Sequence, residues 1–191
     1  MSVLASSSVF VGLVSVGFSG SRSPSPAACR ALSALLPLVP AGVRVSVGCA
    51  RGVDSAVSSF FAGSPSLLVF SVASGRFGSG RSAFARRSSR CVLSVAAGSR
   101  GLLVALPSAP VCPAGVRPSR SFFGGGSGSW GSVCFALGRG RRVLLWLRSG
   151  SCPPSWSGVS WSPAGALGSA GCWWLGVSVP AVPAPVQLSL F

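Results

Sequence analysis

Between Val43 and Asp54 the sequence reads V-R-V-S-V-G-C-A-R-G-V-D, and this stretch restricts the fold more than any other. Val43, Val45 and Val47 alternate with other residues, as in a strand with one face in a core. Gly48, Ala50 and Gly52 are small enough for a sharp turn, and a helix beginning near Asp54 follows. Such a unit offers backbone N–H groups to an anion, because the first N–H groups of a helix have no partner within it.

The same grammar recurs along the chain. Val9 to Phe18 is rich in β-branched and aromatic residues and runs into a turn at Gly20-Ser21-Arg22, so it reads as a first strand. Ser23 to Pro26 starts a helix that spans Ala27 to Leu36 and ends before Pro37. The second helix runs from Asp54 to Phe61, with Asp54 itself at the N-cap. Leu67 to Val72 is almost uniformly apolar, which predicts a central strand covered on both faces. Phe84, Arg87, Cys91 and Val95 recur at helical spacing within Ala83 to Ala97. Leu102 to Leu106 is a fourth strand, Gly131 to Leu137 a helix and Val143 to Leu147 a fifth strand. The alternation predicts an α/β fold, Rossmann-like, with a mostly parallel sheet of about five strands and helices on both faces.

This domain spans residues 1–148. Residues 149–191 are rich in Ser, Pro, Gly and Trp without periodicity and read as a disordered C-terminal tail. Whether Trp156, Trp161, Trp173 and Trp174 pack on the domain, touch a membrane surface or are unselected stays open.

Composition decides how charge is weighed. Apart from Met1, Asp54 and Gln187, the chain uses only the amino acids whose codons can be written without adenine, which makes arginine the sole charge the coding allows. The net charge of +15 would otherwise point to nucleic acid; here it is largely a by-product of coding. Stop codons all contain adenine, so a long open frame on such a strand can also be spurious, and a translated accident would show no cooperative fold. Asp54 is the one acidic residue, retained where a serine would also cap a helix, and that favours a ligand role.

Seven cysteines lie far apart without a C-x-x-C pair, and there is no histidine, which predicts free thiols and no metal site. No uninterrupted apolar run reaches the roughly 18 residues of a spanning helix, and the N-terminus lacks a basic n-region, so a cytoplasmic protein without a transmembrane segment is expected.

Three motifs in order carry a resemblance: G-S-R (Gly20 to Arg22), G-C-A-R-G-V-D (Gly48 to Asp54) and G-S-G-S-W (Gly126 to Trp130). Together they resemble the SLOG superfamily, the Rossmann-like group that includes the DNA-processing protein Smf/DprA and the LOG phosphoribohydrolases, and in particular its small bacterial and phage members. The family's A-R-G-x-D run matches Ala50, Arg51, Gly52 and Asp54, and the similarity covers Val9 to Leu147. This ordered match stands against a spurious frame.

The resemblance implies binding or sensing of a nucleotide or nucleotide-derived small molecule. Its ligand-binding residues would be Gly20, Ser21, Arg22, Gly48, Ala50, Arg51, Gly52, Asp54, Gly126, Ser127, Gly128 and Ser129, with Arg22 and Arg51 on phosphate. Arg86 and Arg87 resemble the family's arginine at the start of the third helix, with a solvated basic face as the other reading. Single-stranded DNA binding of the Smf/DprA type is the alternative, and a homodimer is common among similar proteins. A nucleotide-processing hydrolase ranks lower, because LOG enzymes follow their glycine loop with a glutamate and this chain has none. The cofactor and any catalysed reaction stay open.

Overall fold

A strand that is followed by a helix re-enters its sheet in the same direction, because the helix consumes the length needed for the return. The computed structural model describes residues 8–165, 167 and 171–179, and five such strands open the chain. They are β1 (Ser15–Gly20), β2 (Arg44–Gly48), β3 (Leu67–Phe70), β4 (Gly98–Leu106) and β5 (Arg141–Leu147). Between them lie α1 (Pro26–Leu35), α2 (Val53–Phe60), α3 (Gly80–Leu93) and α4 (Gly128–Gly138). All four pairings among these strands are parallel, in the spatial order β3-β2-β1-β4-β5. The chain therefore steps outward from β1 to β3 and then jumps back across β1 to β4.

With right-handed crossovers, that reversal sends α1 and α2 to one face and α3 and α4 to the other. Two cores record the division. Val16, Phe18, Val45 and Val47 of β1 and β2 meet Leu32 and Leu35 of α1 and Val53 and Val57 of α2. Leu103, Ala105, Val143 and Leu145 of β4 and β5 meet Val92 of α3 and Val133, Phe135, Ala136 and Leu137 of α4. Local chemistry sets the helix starts. The Ser25 hydroxyl accepts the Ala28 N–H and Pro26 opens the first turn of α1. Ala28, Ala31, Leu32 and Leu35 then form its buried stripe. The result is an α/β sheet of the Rossmann-like kind.

Several expectations are corrected. Among the described residues the sheet has seven strands, not about five, because β6 (Val159–Pro163) and β7 (Cys172–Ser178) lie within the stretch read as a tail. β7 runs antiparallel to β5, and β6 antiparallel to β7 at the sheet edge. Periodicity is missing there because both faces of β7 are covered: Trp173 and Leu175 enter one core, while Trp174 packs against the other with Trp161. Residues 166, 168–170 and 180–191 of the expected disordered tail lie outside the described residues.

Leu67 to Val72 is not a central strand. β3 ends at Phe70 and forms the other sheet edge, with Leu68 and Val69 42% and 43% exposed. The first strand starts at Ser15; Val9 and Phe10 lie in a 3-10 turn (Ser8–Phe10) that closes the end of the first core. No helix among the described residues is long and apolar enough to cross a membrane.

Candidate functional site

In an open parallel sheet, the loops at the carboxyl ends of the two strands where the order reverses diverge and leave a crevice. Here that point lies between β1 and β4, and a cleft of about 1220 Å³ opens there. Its walls are the turn after β1, the start of α2, the first half of α3 and the loop that leads from β4 into α4.

The turns after β1 and β2 are locked together. The Val53 N–H donates to the Ser21 carbonyl at 3.0 Å, and the Ser21 N–H donates to the Leu106 carbonyl at 2.9 Å, tying both turns to β4. Gly52 has φ 79°, and a methyl there would overlap the Ser21 carbonyl and lie 2.7 Å from the Arg22 backbone. At Gly20 a methyl would lie 2.5 Å from Val53. These glycines let two turns touch.

Asp54 is the second residue of α2, whose N-cap is Gly52, so it is not the cap that the sequence suggested. It is 5% exposed, and its Oδ2 accepts from the Ala50 N–H at 3.1 Å and from Arg87 Nη1 at 2.9 Å. Gly48 makes the space, since a methyl there would overlap both the Arg87 guanidinium and the Asp54 carboxylate. Burial pushes the Asp54 carboxyl up from its ordinary value, while Arg87, the Ala50 N–H and Arg22 pull it back. The same surroundings silence Cys91, whose thiol is pushed up to about 12 by burial and by the Asp54 charge.

Arg87, on α3, is 7% exposed and lines the cleft. Its Nη1 is committed to Asp54, while its Nε is buried and has no partner among the described residues. An unpaired guanidinium N–H in a buried position is costly unless something accepts from it. Two more cations face the cleft: Arg22, whose guanidinium lies 5.2 Å from the centre of the Phe84 ring, and Arg81 at the start of α3. With Asp54 already neutralised by Arg87, the cleft is electropositive.

The third glycine run opens toward the same space. Ser127 caps α4, its hydroxyl accepting the Trp130 N–H at 3.4 Å, and the Ser127 N–H donates to the Gly124 carbonyl at 2.7 Å. The N–H groups of Gly128 and Ser129 lie in the first turn, where no intrahelical acceptor exists. No atom lies within 4 Å of a methyl placed on Gly126 or Gly128. Trp130 is fully buried, and its indole N–H donates to the Ala109 carbonyl at 3.1 Å, which fixes the long β4 to α4 loop beside the cleft.

Of the residues the sequence singled out, Gly20, Ser21, Arg22, Ala50, Asp54, Gly126, Ser127, Gly128 and Ser129 line this cleft together. Gly48, Arg51 and Gly52 do not. Gly48 and Gly52 make room for protein atoms, and Arg51 is exposed outside the cleft. Arg86 serves the loop after β3, donating to the Phe77 carbonyl at 3.2 Å. Arg81, Phe84, Ser88 and Phe122 also line the cleft, with no sign of that role in the sequence, and Arg87 has a larger part than its sequence position implied. A signal for Arg87 existed: it shares the inward stripe of α3 with Cys91, and an arginine on such a stripe requires an acid. No group of three or more metal-ligating side chains exists among the described residues. Comparison with protein-family models, curated proteins and solved structures finds no match for this chain.

Proposed function

We propose that the chain binds a nucleotide or a nucleotide-derived anion in the cleft between β1 and β4, as a SLOG-type domain would. The observation that carries this reading is Arg87. Its guanidinium is anchored to Asp54 through Nη1 and lines a cleft that also receives Arg22 and the start of α4. A guanidinium with donors to spare beside a helix N-terminus matches a phosphate, which accepts from both. Asp54 acts in this reading by positioning Arg87, because its bonded oxygen is taken by Ala50 and Arg87.

Binding is better supported than chemistry. The one acidic side chain is held in an ion pair, and the sequence has no histidine to move a proton. The test is thermal unfolding of the purified chain against AMP, ADP-ribose and NAD at fixed ionic strength. A ligand at about 100 times its dissociation constant stabilises the native state by about 2.7 kcal/mol, which raises the midpoint. Arg22→Ser, at an exposed position, lowers that response without changing the unliganded midpoint. If no nucleotide moves the midpoint, the reading fails. If inorganic pyrophosphate matches every nucleotide, the site is a plain anion site. Length-dependent, saturable binding of single-stranded DNA that falls steeply with salt replaces the small ligand with a strand.

A further inference from the structure

The cleft does not end at α3. Ala85 and Phe122 form a wall that it shares with a second groove of about 940 Å³, which runs along the free edge of the sheet. Helix geometry explains the join. At 3.6 residues per turn, Phe84, Arg87 and Ser88 face the cleft, Ser89 and Arg90 face the groove, and Ala85 sits between the two stripes. Ala85 therefore borders both spaces.

The groove has an aromatic floor and a cationic rim. Phe70 of β3 and Phe77 of the following loop lie 6.5 Å apart with a tilt of 44°, and Leu68 extends the apolar surface. Arg76 and Arg90 stand exposed around it. Arg86 is already engaged with the Phe77 carbonyl and so holds the loop in place.

An apolar strand edge left open is ordinarily a place for a second copy to pair. Here like charge opposes that, since each copy would bring Arg76 and Arg90 to the contact on a chain of net charge +15. A planar, anionic occupant suits both the floor and the rim, and the shared wall at Ala85 and Phe122 joins it to whatever fills the cleft.

We infer that the groove receives the second base and phosphate of a dinucleotide whose first phosphate lies at Arg87 and the Gly126 to Ser129 loop. This rests on the nucleotide reading above. The second base stacks on Phe70 or Phe77, and Arg76 and Arg90 meet the phosphate beside it.

Calorimetric titration at fixed salt tests this with three probes: dAMP, the 5′-phosphorylated dinucleotide of deoxyadenosine, and the same dinucleotide lacking its second base. The full dinucleotide binds about tenfold tighter than dAMP, the gain expected of one stacked base, and the probe without the base loses most of that gain. Arg76→Ser with Arg90→Ser, both at exposed positions, reduces the gain and leaves dAMP binding unchanged. Phe70→Ala together with Phe77→Ala removes it. Equal affinity for dAMP and the dinucleotide overturns the inference and leaves the cleft reading standing, as does a gain that survives all these substitutions. Failure of dAMP and the dinucleotide alike overturns the inference, and the cleft reading falls with it where AMP, ADP-ribose and NAD also leave the unfolding midpoint unmoved. A phosphorylated strand of ten nucleotides separates two sources of this chemistry: one that matches the dinucleotide identifies the end of a strand, and one that binds more weakly identifies a free dinucleotide.

Discussion

The turn after β2 and the loop before α4 look alike as sequence, each a glycine-rich run between a strand and a helix. They differ in what surrounds the glycines. At Gly48 and Gly52 a methyl group would overlap protein: the Arg87 and Asp54 side chains in one case, the Ser21 and Arg22 backbone in the other. At Gly126 and Gly128 nothing lies within 4 Å. The first turn is glycine because the protein fills the space; the second leaves the space to the cleft. The more distinctive motif is thus the internal brace, and the plainer one is open to a ligand.

Substitutions at the two turns should separate by size. Asp54→Ser leaves Arg87 buried without its partner and costs about 3–5 kcal/mol in chemical denaturation. Gly48→Ala costs about the same, because its methyl expels the guanidinium from the pair. Asp54→Ser combined with Arg87→Leu recovers much of the loss, since no charge is left buried. If Asp54→Ser alone costs under about 1 kcal/mol, the pair does not brace the turn. Gly52→Ala costs about 2–4 kcal/mol through its positive φ and its contact with the Arg22 backbone.

The open loop responds less. Gly126→Ala costs about 1 kcal/mol, for its φ of 88° alone. Gly128→Ala changes stability by less than about 1 kcal/mol and is expected to stabilise, because it sits in the first turn of a helix with free space around it. A cost at Gly128 equal to that at Gly52 would erase the contrast between the turns. Both loop substitutions should nevertheless weaken the nucleotide response, because the methyl occupies cleft volume.

Acidity gives the smallest and sharpest test of the brace. The folded Asp54 carboxyl lies above its ordinary value, so its contribution to stability is full at low pH and is lost as pH rises through the folded value. The wild-type protein should therefore gain stability on going from pH 7 toward pH 4, relative to Asp54→Ser measured in parallel. A relative loss over that range would mean that Arg87 outweighs burial in setting the proton affinity.

Much of the parallel half was legible because its signals are local. Ser25 and Pro26 mark the start of α1, and the alternating valines mark β2, in each case within a residue or two of where the elements begin. The β6 and β7 pair was not legible, because β7 is held by partners distant in sequence: Val143 opposes Gly176 and Leu147 opposes Cys172. Among the described residues β6 in turn pairs with β7 alone, so its own residues carry little of the signal. The edge position of β3 was misread because uniform apolarity does not say how many faces are covered. At the site, the three glycine runs were visible, but the residues from α3 reach the cleft only through the topology. The Asp54 and Arg87 contact spans 33 positions, and a chain with a single acid gives it few other partners to choose.

The antiparallel partner of β5 also has a consequence for biosynthesis. Leu147 leaves the ribosome about 25 residues ahead of Cys172, its partner across the ladder. At about 5–20 residues per second, β5 waits about one to five seconds with an apolar edge unpaired. The parallel strands can assemble during that interval, but the sheet stays open at Leu144, Leu145 and Trp146 until β7 arrives. Yield of folded protein should then depend on translation speed through the codons for residues 148–171, where a pause prolongs the exposure and a faster passage shortens it.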